Sequence, residues 1–270
     1  MEREYKLFGR GLDEKETEAA AEAIDRKREE SVKPIEGELK KTPEEIKLIN
    51  LYNSYLQQEF EELDIKEKPE ILPEQIHLFS HENFIKTFPN RKDLDEFHES
   101  ETTKAGYLNK DKTPNRIELY NTILHAIIHI ISFHKYLVEV EEKKFSSYRT
   151  GYRIADVRKI ASKDEEHLRW FNEAVADKTT QDIFLKHFQE IIKELNIPKN
   201  EEKLPVYYKS IDSLNAIISK IAKQKGEDEN TVWQKIKRGQ FTGEMMHLRD
   251  VEKYPGKGEL ERLAHFGNKE

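Results

Sequence analysis

An apolar run from Ile123 to Phe133, interrupted by histidine, constrains this chain more than any other feature. The run is well short of the roughly 20 residues that a membrane span needs, so it predicts burial inside protein. A helix over about 122–138 accommodates it, apolar on most sides. His125 and His129 then project from one face, one turn apart. That spacing suits two imidazoles converging on one metal ion. A pair of core histidines hydrogen-bonded to their neighbours satisfies the same spacing, and the short motif alone leaves both open.

A second segment weighs on that choice. Ser162-x-x-Glu165 has the form of a capping box and predicts a long helix continuing to about Leu195. It carries Asn172-Glu173-Ala174-Val175-Ala176-Asp177. The hairpin-like stretch at 139–157 gives this helix enough chain to fold back on the first. Glu173 is then a candidate third ligand. Asp177, one turn on, is placed to accept the free ring N–H of a ligand histidine, fixing its tautomer. A solvated helix face is the plain alternative for both acids. Phe171, Ala174, Val175 and Ala176 around them argue for a buried face.

Together, His125-Ala126-Ile127-Ile128-His129 and Asn172-Glu173-Ala174-Val175-Ala176-Asp177 resemble the paired helices of gluzincin (thermolysin-like) zinc metallopeptidases, which carry H-E-x-x-H and then N-E-x-x-x-D. The resemblance covers roughly residues 70–195. It implies Zn²⁺ on His125, His129 and Glu173 with Asp177 behind them, a water in the open position, and peptide-bond hydrolysis. It also implies a sheet before the first helix, with a peptide or protein substrate lying along its edge strand. Gly106-Tyr107 and Ile117-Glu118-Leu119 are candidates for that sheet. A metzincin needs a third histidine at 135, which is Lys135, so His134 reads as structural.

One departure is serious. Ala126 stands where the family has the glutamate that polarises the metal's water and passes its proton to the leaving amine. Either the chain is an inactivated Glu-to-Ala form of a peptidase, or it is a natural pseudo-peptidase that binds peptides or a protein partner without cleavage. The retained ligands argue against neutral decay and favour the inactivated form. Tyr148, Arg149 and Tyr152, in the hairpin between the two helices, are candidate donors to a reaction oxyanion; ordinary strand residues are the alternative.

The rest of the chain frames this site. Thr42-Pro43-Glu44-Glu45 predicts a capped helix start, Gln75–Phe79 a strand, and Ala105–Leu108 with Arg116–Tyr120 a hairpin. Helices are expected near 207–225 and 229–238, with Ile217, Ile218, Ile221, Val232, Trp233 and Ile236 as their core. The expected class is α+β: a small zincin-like sheet on two ligand-bearing helices, with mostly helical extensions. Residues 1–42 read as a charged arm, disordered or helical, 43–195 as the metallopeptidase domain, and 196–270 as a helical extension. With 37% charged residues and a net charge of -7, no nucleic-acid-binding face is expected. No cysteine is present, which excludes disulfide and thiolate–metal chemistry. No signal peptide and no membrane span are expected, and the location is expected to be cytoplasmic.

Overall fold

Thr42 opens the first long core helix as the sequence predicts: its side chain accepts from the Glu45 N–H while the Glu45 carboxylate accepts from the Thr42 N–H. The computed structural model describes residues 5–9, 12–66, 69–91, 96–98, 104–113, 115–139, 144–155, 166–201, 209–256 and 258. In chain order the elements are β1 (Tyr5–Phe8), α1 (Glu14–Ser31), α2 (Pro43–Glu62), β2 (Ile76–Phe79), α3 (His81–Thr87), β3 (Glu96–His98), β4 (Gly106–Asn109) and α4 (Arg116–Ile131). Then follow β5 (His134–Glu139), β6 (Lys144–Thr150), β7 (Arg153–Ala155), β8 (Glu166–His167), α5 (Arg169–Lys186), α6 (Phe188–Glu194), α7 (Lys209–Lys225), α8 (Glu229–Thr242) and α9 (Leu248–Lys253). The class is α+β, with small sheets and helical extensions. Among the described residues no helix is long and apolar enough to cross a membrane.

The chain divides into two compact units: Glu22–Ile131 with Thr180–Val206, and Met1–Ala21 with Ser132–Thr179 and Tyr207–Glu270. The first holds a three-stranded sheet in the order β2-β4-β3. β4 runs parallel to β2 and antiparallel to β3, which leaves β3 at an edge. α4 packs on this sheet and on α2, and the Tyr52 hydroxyl donates to the Tyr120 carbonyl at 2.9 Å to join the two helices. At Gly106 the strand comes close to α4: an added Cβ would stand 3.1 Å from the Ala126 Cβ.

Two expectations about this unit are corrected. Arg116–Tyr120 is not a hairpin strand but the start of α4, where Asn115 Oδ1 accepts the Glu118 N–H at 3.0 Å and caps the helix. Ile117-Glu118-Leu119 is therefore no part of a sheet; Gly106-Tyr107 is, in β4. α4 also stops at Ile131 rather than near Val138. His134–Glu139 alternates buried with half-buried positions, the period of a strand.

The second unit is built on a five-stranded sheet, β1-β5-β6-β7-β8. Only β1 is parallel to its neighbour. Tyr5 packs edge-to-face on Tyr136 and its hydroxyl donates to the Ala21 carbonyl. Among the described residues of this arm, Tyr5–Phe8 form β1 and Glu14–Ser31 form α1. Ile217, Ile218, Ile221, Val232, Trp233 and Ile236 form a core with Tyr152, Phe171 and Val175. α5 begins at Arg169, and the helix expected to run unbroken to Leu195 is interrupted at His187, after which α6 begins at Phe188. Ser162 and Glu165 lie outside the described residues.

Candidate metal centre

α4 is buried along nearly its whole length, because Ile123, Leu124, Ile127, Ile128 and Ile130 cover successive faces of it. His125 and His129 are enclosed with them, only 8% and 3% exposed. Their rings meet nearly at right angles, 85° between planes, and the two Nε2 atoms are 3.3 Å apart. Two nitrogens each 2.0–2.1 Å from a tetrahedral ion lie about 3.3–3.4 Å apart. The 3.3 Å separation is compatible with a shared ion as well as with a hydrogen bond between the rings.

The third donor comes from α5. One ligand atom from each of His125, His129 and Glu173 lies within 4.8 Å of the others. Two imidazoles and a carboxylate are donors of the kind that can hold a metal ion. Glu173 is only partly buried, whereas Asn172 beside it is buried. Asn172 Oδ1 accepts the Tyr152 N–H at 2.9 Å, so the turn after β6 is fastened to the first turns of α5. Asp177, one turn beyond Glu173, is buried and accepts a hydrogen bond from Ser210 Oγ at 2.6 Å. Ser210, on α7 far along the chain, carried no signal as a neighbour of Asp177 in the sequence.

The remaining candidates occupy other surroundings. Ala126 is wholly buried. Tyr148 packs edge-to-face on Phe8. Arg149 donates from Nε to the Gly151 carbonyl at 2.6 Å and from Nη1 to the Gly243 carbonyl at 2.9 Å, with its guanidinium over the Phe133 ring. Burial lowers the Arg149 pKa, against the raising influence of Tyr152 and Tyr148. The Tyr152 hydroxyl donates to the Ile236 carbonyl at 2.6 Å and meets His247 Nε2. Burial raises its pKa well above the usual phenol range. Acting as an oxyanion donor would require Tyr152 to leave these partners. His134 is buried in β5, stacked on Tyr136 and 3.5 Å from Thr150 Oγ1, a strand position rather than a member of the triad. Trp170 packs against the core of its unit.

No protein-family model, no curated protein and no solved structure matches this chain. What the chain itself offers is a possible metal-binding triad, His125, His129 and Glu173.

Proposed function

We propose that His125, His129 and Glu173 hold one zinc ion in a peptidase-type centre of the gluzincin kind, and that Ala126 leaves this chain without its general base. The observation that carries this reading is the 3.3 Å separation of the two Nε2 atoms with a carboxylate beside them. Bound zinc supplies Lewis acidity, polarising a carbonyl oxygen and acidifying a water. The protein's own part is to exclude bulk water with the isoleucines of α4 and to fix a ring tautomer through Asp177. An extended peptide would add to the edge of the three-stranded sheet at β3, through main-chain hydrogen bonds. With alanine at 126 no carboxylate takes the proton from water, and turnover is crippled.

The close approach of Gly106 to Ala126 favours a second reading. A wholly buried methyl against a strand glycine is a settled packing arrangement. It suits a protein that captures peptides at the metal without cutting them.

The shared premise is tested by metal analysis. The purified chain should contain about one zinc per molecule. Glu173→Ala should weaken zinc binding far more than His134→Ala. Equal losses, or a parent chain that takes up no zinc in chelator-free buffer, would remove the site.

A further inference from the structure

The end of α8 grips several parts of the five-stranded unit at once. The Gln240 carbonyl accepts the Phe133 N–H at 3.0 Å, and its Nε2 donates to Ser132 Oγ at 2.8 Å. The Phe133 carbonyl accepts the Gly151 N–H at 2.8 Å. Tyr152 N–H then donates to Asn172 Oδ1. Ser132 and Phe133 directly follow α4, and Asn172 directly precedes Glu173. A continuous path of backbone and side-chain hydrogen bonds therefore leads from the exit of α4 to the neighbour of the carboxylate ligand.

This path has little slack. Gly151 has φ +55°, and an added Cβ would stand 2.5 Å from Asn172 Oδ1 and 2.7 Å from Gln240 Nε2. Gln240 is itself wholly buried. Metal ligands must sit within about 0.2 Å of their ideal distances. Turning a helix by ~10° about its axis moves an atom ~6 Å from that axis by about 1 Å. The rotation of α5 must therefore be held closely if Glu173 is to ligate. Asn172, reaching out of the first turns of α5 to a fixed backbone N–H, is the group that can hold it.

We infer that Gln240 is a positioning residue for the metal centre: by packing Gly151 against Asn172 it sets the rotation of α5 that aims Glu173. This rests on the zinc reading above. It gives the C-terminal helices a part in the site, which the sequence left without one.

The test measures zinc affinity in the full chain by competition with a chromogenic chelator, for Gln240→Ala, Ser132→Ala and their combination. Lys235→Ala serves as control, on the same helix but exposed, where Lys235 pairs with Glu227 at 2.8 Å. Gln240→Ala should weaken zinc binding about 10-fold, the lower range for groups behind the ligands. Ser132→Ala should act in the same direction, the combination should be no weaker than Gln240→Ala alone, and the control should match the parent. Melting of the zinc-free proteins is followed alongside, because a purely structural role lowers the melting temperature and leaves the affinity of folded protein unchanged. Ser132→Ala removes one hydroxyl and keeps the test open should Gln240→Ala fail to fold. Parent-like affinity in Ser132→Ala, and in Gln240→Ala where it folds, overturns the inference alone. A parent chain that binds no zinc overturns the metal reading and this inference with it.

Discussion

His77 is enclosed on β2 with Nδ1 2.9 Å from Glu38 Oε2 and Nε2 2.7 Å from the Ser31 carbonyl oxygen. Both neighbours are hydrogen-bond acceptors, one beside each ring nitrogen. Tyr107 stacks over it and Lys41 binds the other oxygen of Glu38. Burial pushes the Glu38 carboxyl up, but the bonds from His77 and Lys41, the His77 charge and the Ile35 N–H outweigh it and hold the pKa at about 2. An unfolded chain protonates this group near its ordinary 4.5. The contribution to stability is therefore fully present above about pH 4.5 and is lost as the pH falls through about 2. Glu38→Gln should remove that part of the acid sensitivity. Urea midpoints at pH 5 and pH 3 should differ less in the variant than in the parent; an unchanged difference would show that Glu38 is not held by His77.

At the scale of elements, the two segments that hold the candidate triad were legible in the sequence because each motif is local. His125 and His129 sit one turn apart in one helix, and Glu173 and Asp177 in another, so no distant contact is needed to see them. The capping box at Thr42 and the strand at β2 were legible for the same reason. The boundaries of α4 were not. Ile117 and Leu119 alternate with polar residues and imitate a strand, although Asn115 with Glu118 three residues on was a readable helix start. At the other end the apolar run masks the switch to period two at His134. β1 was invisible because its partner, β5, lies far along the chain and four residues carry too little pattern. The approach of β4 to α4 was equally hidden, and it governs the next test. Ala126→Glu must fit a carboxylate beside Gly106, where an added Cβ on the strand would already stand 3.1 Å from the helix methyl. General acid–base groups contribute about 10²–10⁴-fold. If the chain is an inactivated peptidase, Ala126→Glu should fold, keep its zinc and cut extended polypeptides in a chelator-sensitive way, read by mass spectrometry of a peptide library. A folded, zinc-loaded variant that cuts nothing would favour capture without cleavage. A variant melting several degrees lower without zinc would mark position 126 as helix–strand packing.

Across the whole molecule the two units carry different titrating groups and different reporters. Glu38 belongs to the three-stranded unit, and His247 to the five-stranded one. The Tyr152 hydroxyl donates to the Ile236 carbonyl, so the bond to His247 is made by an Nε2–H donating to the phenol oxygen. Burial lowers the His247 pKa to about 4, with Asp250 working to raise it and Arg149 to lower it further. An unfolded chain takes up this proton near the ordinary 6.5. Between about 6.5 and 4 the unfolded state thus binds more protons than the folded one, and stability falls as the pH is lowered through that window. The full loss is on the order of 3 kcal/mol, reached below about pH 4. Both tryptophans, Trp170 and Trp233, lie in this unit, so intrinsic fluorescence reports on it selectively. Urea unfolding followed by tryptophan emission should show a midpoint that drops from pH 7 to pH 4.5. His247→Gln, with no titrating ring, should abolish most of that drop. The Glu38→Gln change should leave the tryptophan-detected slope in this window intact, because Glu38 titrates below it and in the other unit. A His247→Gln protein with the parent's full dependence on pH would mean that protonation of His247 is not what destabilises this unit in that window.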